Sequence, residues 1–136
     1  MTRAANDSVD VSDRRDQWIE RVDAVINQAE KWAKAQDWAT ARTTRTIRER
    51  LLGEYTVPVL RVRLPLGEVH VIPVALHVVG ADGRIDIEAF PTLNRVRLVG
   101  RDDGWQIYTD SNVPLRQPWN RETFAQLAQD LLACDE

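Results

Sequence analysis

The chain of 136 residues has few of the residue types from which disulfides and metal sites are built. It has one cysteine, Cys134, which cannot form an internal disulfide, and we interpret this thiol near the chain end as incidental. Its two histidines, His70 and His77, are seven residues apart and would project to opposite faces of a regular strand. This spacing argues against a metal site built on both histidines, and we expect no metal ligand.

Sequence signatures of common enzymes are also missing. The chain has no glycine-rich phosphate loop and no dinucleotide fingerprint, and its serines, Ser8, Ser12 and Ser111, lie in polar segments without a Gly-x-Ser-x-Gly setting. We therefore predict no catalytic residue and no cofactor, although the sequence does not decide whether the protein is an enzyme.

Long hydrophobic runs are absent too. No apolar run approaches the roughly 18 residues that span a bilayer, and the charged N-terminus lacks the apolar core of a signal peptide. We expect a cytoplasmic protein that does not interact with membranes.

Lysine is scarce, whereas arginine is abundant and unevenly placed. Only Lys31 and Lys34 accompany sixteen arginines, and the net charge of the chain is −3. Six of the arginines and only two glutamates lie between Arg42 and Arg63. This basic segment suggests nucleic-acid binding through phosphate contacts as one alternative function, although the sequence pI of about 5.4 and the acidic flanking segments argue against it.

The hydrophobic pattern predicts two helices. Residues 1–12 are polar and small, so we expect a disordered arm there, followed by a single α+β domain over 13–136. Trp18, Val22 and Val25 begin an apolar stripe that predicts a helix over about 14–36. Asn120 is a strong N-cap candidate for a second amphipathic helix at the C-terminal end.

Between the two helices the period of the pattern changes to two. From Val57 to Thr109 apolar and charged residues alternate in runs separated by Gly or Pro turns, which predicts about five antiparallel strands. Pro73 marks a bulge or an edge, and residues 38–53 are ambiguous between extended and helical structure. The predicted fold class is α+β: an N-terminal helix, an antiparallel meander sheet of about five strands and a C-terminal helix, with the helices packed on one sheet face.

Pairing the predicted hairpins places polar residues opposite one another on the other face. With four-residue loops, His77 lies opposite Asp86, Asp86 opposite Arg97, and Arg97 opposite Tyr108. Glu88 and Arg95 form a second pair of opposite charge beside this row. We predict a binding face that consists of His77, Asp86, Glu88, Arg95, Arg97, Tyr108, Arg61 and Arg63.

The favoured function is a non-enzymatic protein-interaction or accessory module that uses this charged sheet face, with a protein partner or a second copy as ligand. Another alternative comes from a short acidic cluster. Asp82, followed by Asp86-Ile87-Glu88 on a strand, resembles the metal-binding strand of PD-(D/E)xK nucleases over about ten residues. That family has a lysine two residues after the second acid, where this chain has Phe90. The resemblance implies a degenerate metal-dependent nuclease-like enzyme around Asp86 and Glu88.

Overall fold

The computed structural model describes residues 3–78, 81–101, 104–109 and 116–133, with side chains from residue 11 onward. Two helices flank seven strands in these ranges. In chain order the elements are α1 (Arg3–Ala35), β1 (Ala39–Glu49), β2 (Gly53–Leu64), β3 (Gly67–Val78), β4 (Ala81–Phe90), β5 (Arg95–Arg101), β6 (Gly104–Thr109), β7 (Arg116–Pro118) and α2 (Arg121–Leu132). The predicted α+β fold is confirmed.

The strands form one antiparallel sheet in which every strand lies beside its neighbours in sequence, from β1 to β7. The sheet has seven strands where the sequence predicts about five. β1 is not among the predicted strands, because its threonines and arginines are exposed on both faces and show no alternation with a period of two. β7 is only three residues long and fully exposed, so it has no hydrophobic pattern at all.

Helix α1 covers one face of the sheet, which we call the inner face. Its side chains Trp18, Val22, Val25, Ile26 and Ala29 are at most 1% exposed, as the predicted stripe requires. The bounds of α1 include residues 3–12, where the sequence predicts a separate arm, and the division of the chain at residue 13 stays a prediction.

The hydrophobic core lies between α1, α2 and the inner face. Its strand members are the residues that alternate inward, including Leu60, Val62, Val71, Ile87 and Leu98, all fully buried. Burial of a side chain of this size stabilises the fold by about 1.5–3 kcal/mol. The opposite face of the sheet, which we call the outer face, is not covered by either helix.

Helix α2 begins as the sequence predicts. The Asn120 side chain accepts a hydrogen bond from the Thr123 backbone N–H, and Thr123 returns one to the Asn120 backbone N–H, which completes a capping box. Trp119 precedes the cap and packs edge-on against Phe124 at 5.6 Å between ring centroids. Trp32 of α1 stacks on both rings, so this aromatic group joins the two helices.

The part of the β1–β2 hairpin next to its turn does not pair with β3. β2 pairs with β3 only over Leu60–Leu64, so β3 has no strand partner on that side from Ile72 onward. Side chains of β1 form hydrogen bonds with the backbone of this open edge. Arg45 Nη1 donates to the Pro73 carbonyl at 2.9 Å, and Glu49 accepts the backbone N–H groups further along β3.

Candidate functional site

The outer face carries an ordered array of charges, because alternate residues of β2 to β7 point to it. These positions are Arg61, Arg63, Glu68, His70, Arg84, Asp86, Glu88, Arg95, Arg97, Arg101, Tyr108 and Arg116. Seven arginines face three carboxylates, an excess of four positive charges. Asp82 is not counted in this array. It lies near the start of β4, where its charge interacts with that of Arg21 of α1.

Two of the three pairings in the predicted row are confirmed, and so is the separate pair of Glu88 with Arg95. Asp86 lies opposite Arg97 and Glu88 opposite Arg95 on β4 and β5, and Arg97 lies opposite Tyr108 on β6. The turns between these strands are centred where the sequence predicts, so the registers agree and the charged residues lie opposite one another as predicted.

The third pairing is wrong. His77 lies opposite Asp82, and the residue opposite Asp86 is Ile72. Two features change the register: the β3–β4 turn lies two residues earlier than predicted, since Val78 already pairs with Ala81, and the pairing shifts again between Pro73 and Ala75. The bulge expected at Pro73 is therefore present, but the predicted register does not include its effect.

His77 belongs to a different environment. Its backbone N–H donates to Glu49 Oε1 at 2.9 Å, and its Nδ1 lies 3.6 Å from the same oxygen. Two open grooves adjoin His77, of about 510 Å³ between α1 and the β3–β4 hairpin and about 490 Å³ beside Glu49. Glu49 also accepts the Tyr55 hydroxyl proton, and Trp18 Nε1 donates to Tyr55 at 2.9 Å. Burial, reinforced by Glu49, raises the pKa of Tyr55.

The histidine among the charged residues of the outer face is His70, not His77. It lies opposite Arg61 on β2 and opposite Glu88 on β4, so a row of four side chains crosses the sheet from Arg61 through His70 and Glu88 to Arg95. The period of two counted from Glu68 gives His70 this position. The sequence interpretation takes the alternation of β3 from His77. The register shift between Pro73 and Ala75 reverses that alternation for the residues before it, including His70.

Asp86 is the one charged residue among those described that is buried, with 8% of its surface exposed. Arg84 holds it with two hydrogen bonds, from Nε at 2.8 Å and from Nη2 at 3.1 Å, and Arg95 Nη1 lies 3.8 Å away. A buried carboxylate needs such partners, because burial removes its hydration and the paired cations compensate for that loss. Asp86 thus fixes two arginines at the centre of the outer face.

A second carboxylate organises the β2–β3 end of the face. Glu68 Oε1 accepts from Arg61 Nη2 at 3.0 Å and from His70 Nε2 at 2.9 Å, and Arg63 Nη2 lies 3.6 Å from Glu68 Oε2. The hydrogen bonds from His70 and Arg61 hold the pKa of Glu68 at about 2. We call these four residues the Glu68 cluster. The His70 ring also stacks on Phe90, with centroids 4.6 Å apart.

Tyr108 marks the other end of the face. Its hydroxyl accepts from Arg101 Nη2 at 3.5 Å, and Arg116 lies directly opposite on β7. The Arg101 hydrogen bond and then Arg116 lower the pKa of Tyr108. The face thus includes Arg101 at the end of β5 and continues beyond β6 to Arg116 on β7, two cations that the sequence interpretation does not assign to it.

The basic segment between Arg42 and Arg63 does not form one surface. Arg42 pairs with Glu30 of α1 at 2.9 Å, Arg45 binds the β3 backbone, and Arg48 pairs with Glu54 at 2.8 Å. Only Arg61 and Arg63 reach the outer face. Most of the positive charge that suggested phosphate binding is thus engaged elsewhere.

The acidic cluster of β4 faces cations. Asp86 is occupied by Arg84 and Arg95, and Glu88 lies between Arg95 and His70 on neighbouring strands. A metal ion at Asp86 would have to displace two guanidinium groups, and within residues 3–78, 81–101, 104–109 and 116–133 no three His, Cys, Asp or Glu side chains are grouped to hold one.

The fold and this face define a seven-stranded antiparallel meander with two helices on its inner face and a basic outer face. Comparison with protein-family models, with curated proteins and with solved structures finds no match to the chain. In the described ranges, neither helix is long and apolar enough to cross a membrane.

Proposed function

We propose that the protein is a non-enzymatic interaction module whose outer face binds an acidic surface of a partner protein. The observation that carries this proposal is the excess of seven arginines over three carboxylates on a sheet face that neither helix covers. A positive patch on an otherwise acidic protein steers a negatively charged partner to one face and repels basic ones.

The charge distribution favours a partner over a second copy bound through the same face. Since the whole chain carries −3 and the outer face +4, the remaining residues carry −7. Two outer faces brought together would place like charges against each other, which disfavours a symmetric dimer on this surface.

The arginines are also held in position before any partner binds. Asp86 is buried and bound by Arg84 and Arg95, and Glu68 holds Arg61 and Arg63. Long side chains that are already ordered lose less entropy on binding. Guanidinium groups also match carboxylates with paired hydrogen bonds, which favours an acidic protein surface as ligand.

Charge reversal with affinity capture tests the proposal. The wild-type chain, R95E/R97E and K34E/R121E are each used as bait, after nuclease treatment of the lysate. Both double variants change the net charge by the same amount, but Lys34 and Arg121 are exposed on the helices. We expect acidic proteins that bind the wild type and K34E/R121E and are lost with R95E/R97E.

Two outcomes contradict the proposal. Equal loss with both double variants means that net charge alone governs capture. Capture that disappears after nuclease treatment means that the outer face binds nucleic acid, which is the alternative function.

A further inference from the structure

The Glu68 cluster has the geometry of a binding site for a carboxylate that one of the chain's own side chains already fills. Three donors, from Arg61, Arg63 and His70, converge on the two oxygens of Glu68 within 2.9–3.6 Å. In the described part of the chain, Glu68 is the carboxylate with which all three of these donors pair. The cluster thus contains two guanidinium groups and an imidazole around one acid.

A groove opens beside this cluster on the outer face. It has a volume of about 260 Å³ and is lined by Ala39, Thr40, Ala41, Arg61, Arg63 and Glu68. The groove exists because β1 places alanines opposite the two arginines: Ala41 pairs with Arg61 and Ala39 with Arg63. Small side chains there leave room for a ligand to reach the arginines.

The parts of the cluster differ in how firmly they are held. The Arg63 side chain is 75% exposed and touches Glu68 only at 3.6 Å, whereas the His70 and Glu68 side chains are 21% and 25% exposed. Arg63 therefore keeps most of its five donors available at the mouth of the groove. The His70 ring is also held by its tilted contact with Phe90 on the neighbouring strand β4.

We propose that Arg61, Arg63 and His70 form a carboxylate-binding subsite in which Glu68 is an internal ligand, and that a carboxylate side chain of the acidic partner displaces it. The identity of the incoming group as a partner's Asp or Glu rests on the proposed function above. Glu68 has three rotatable bonds and stands on an open sheet face, so it can turn out to solvent when another carboxylate takes its donors.

The exchange explains why a half-buried carboxylate is held by three donors on a face that we propose binds acids. While no partner is bound, Glu68 neutralises part of the local charge and keeps the guanidinium groups oriented. A ligand must compete with it, so only segments with several acidic residues in place bind well. Glu68 thereby raises the specificity of the face at a cost in affinity.

The test uses a hexaglutamate peptide, with hexaglutamine as the uncharged control, titrated into ¹⁵N-labelled protein while the arginine Nε–H signals are followed. The variants are E68Q, which keeps the shape of the side chain but removes its charge, and E54Q. Glu54 pairs with Arg48 at the far end of the β1–β2 hairpin, so E54Q makes the same change in net charge at another ion pair.

We expect E68Q to bind hexaglutamate about tenfold more tightly than the wild type, with the shifts centred on Arg61 and Arg63. E54Q should bind like the wild type. Adding R61A and R63A to E68Q should abolish the gain. A backbone amide spectrum that is unchanged outside the cluster shows that E68Q is folded, and E68A provides a second variant without the side-chain donors and acceptors.

Equal or weaker binding by E68Q and E68A would overturn the subsite, because Glu68 would then be a structural or orienting residue. This outcome leaves the proposed function standing if the peptide still shifts Arg95 and Arg97. Conversely, tighter binding by E68Q combined with partner capture that R95E/R97E does not affect would retain the subsite and overturn the proposed function.

Discussion

The Tyr55 hydroxyl donates a hydrogen bond to Glu49, and this contact joins β2 to β1 next to the turn of their hairpin. Tyr55 also accepts from Trp18 of α1, while Glu49 accepts from the backbone of β3. A chain of hydrogen bonds therefore runs from α1 through β2 and β1 to β3. It takes the place of the strand pairing that β2 does not provide.

The Tyr55 hydroxyl is accordingly expected to matter for stability. Y55F leaves the Trp18 N–H without its acceptor and removes one of the two donors to Glu49 Oε2, which keeps the Leu76 N–H. We predict a loss of about 1–3 kcal/mol in the free energy of unfolding. Urea denaturation followed by tryptophan fluorescence measures it. T56V is the control, because the Thr56 hydroxyl meets Thr46 only at an exposed position, and its effect should stay within about 0.5 kcal/mol.

The two tyrosines should titrate far apart, since they occupy opposite electrostatic environments. Arg101 and Arg116 lower the pKa of Tyr108, so it should ionise first, and burial delays Tyr55. Ultraviolet difference absorbance of the phenolate resolves the two steps. R101A should move the first step to higher pH and leave the second in place; a single merged step in the wild type would contradict these assignments.

The same shift gives a direction for stability in alkali. The folded-state pKa of Tyr55 is raised above the usual value of about 10. Its contribution to stability is therefore complete below pH of about 10 and is lost as the pH rises towards the folded-state value. In Y55F this part of the alkaline decline in unfolding free energy should be missing, and identical declines in both proteins would count against it.

Two glycines with similar backbone angles separate steric contact from backbone strain. Gly83 and Gly104 have φ of 119° and 128°, but a Cβ at Gly83 would lie 2.5 Å from the Trp18 ring, whereas at Gly104 nothing lies within 4 Å. We expect G104A to cost about 1–2 kcal/mol through strain alone. G83A should cost a further 1–3 kcal/mol or so because α1 must shift. Equal thermal unfolding of the two variants would contradict this packing.

Asp86 should be the most important charge on the outer face for stability. D86A leaves Arg84 and Arg95 without their shared carboxylate, and we predict a loss of about 1–3 kcal/mol. E88A removes a more exposed acid from the neighbouring row and should cost less, about 0.2–1 kcal/mol. Chemical denaturation of both variants provides the comparison, and a larger effect for E88A would show that Asp86 is not the organising charge.

The sequence predicts those parts of the fold in which one face is buried and turns are marked by glycine or proline. β4, β5 and β6 satisfy both conditions, and the pairing of Asp86 with Arg97 follows directly. Helix α2 is equally clear, because its cap and its apolar repeat agree.

The remaining features depend on tertiary contacts. β1 is polar on both faces, so only its pairing with β2 and the binding of Arg45 and Glu49 to the open edge of β3 define it as a strand. The β3–β4 hairpin turns two residues before the predicted position, which places His77 opposite Asp82 instead of Asp86, and the local turn signal at Gly80–Gly83 does not give this position. The Glu68 cluster depends on the register of β2 against β3, which the sequence pattern does not specify.

The central claim is that the outer face, and not the helices, receives an acidic partner. Site-specific photo-crosslinking in living cells tests it most directly, with a benzophenone amino acid in place of Tyr108 on the outer face or of Gln129 on the exposed side of α2. We expect adducts with an acidic protein from position 108 and none from position 129. Adducts from position 129 alone, or equally from both positions, would contradict it.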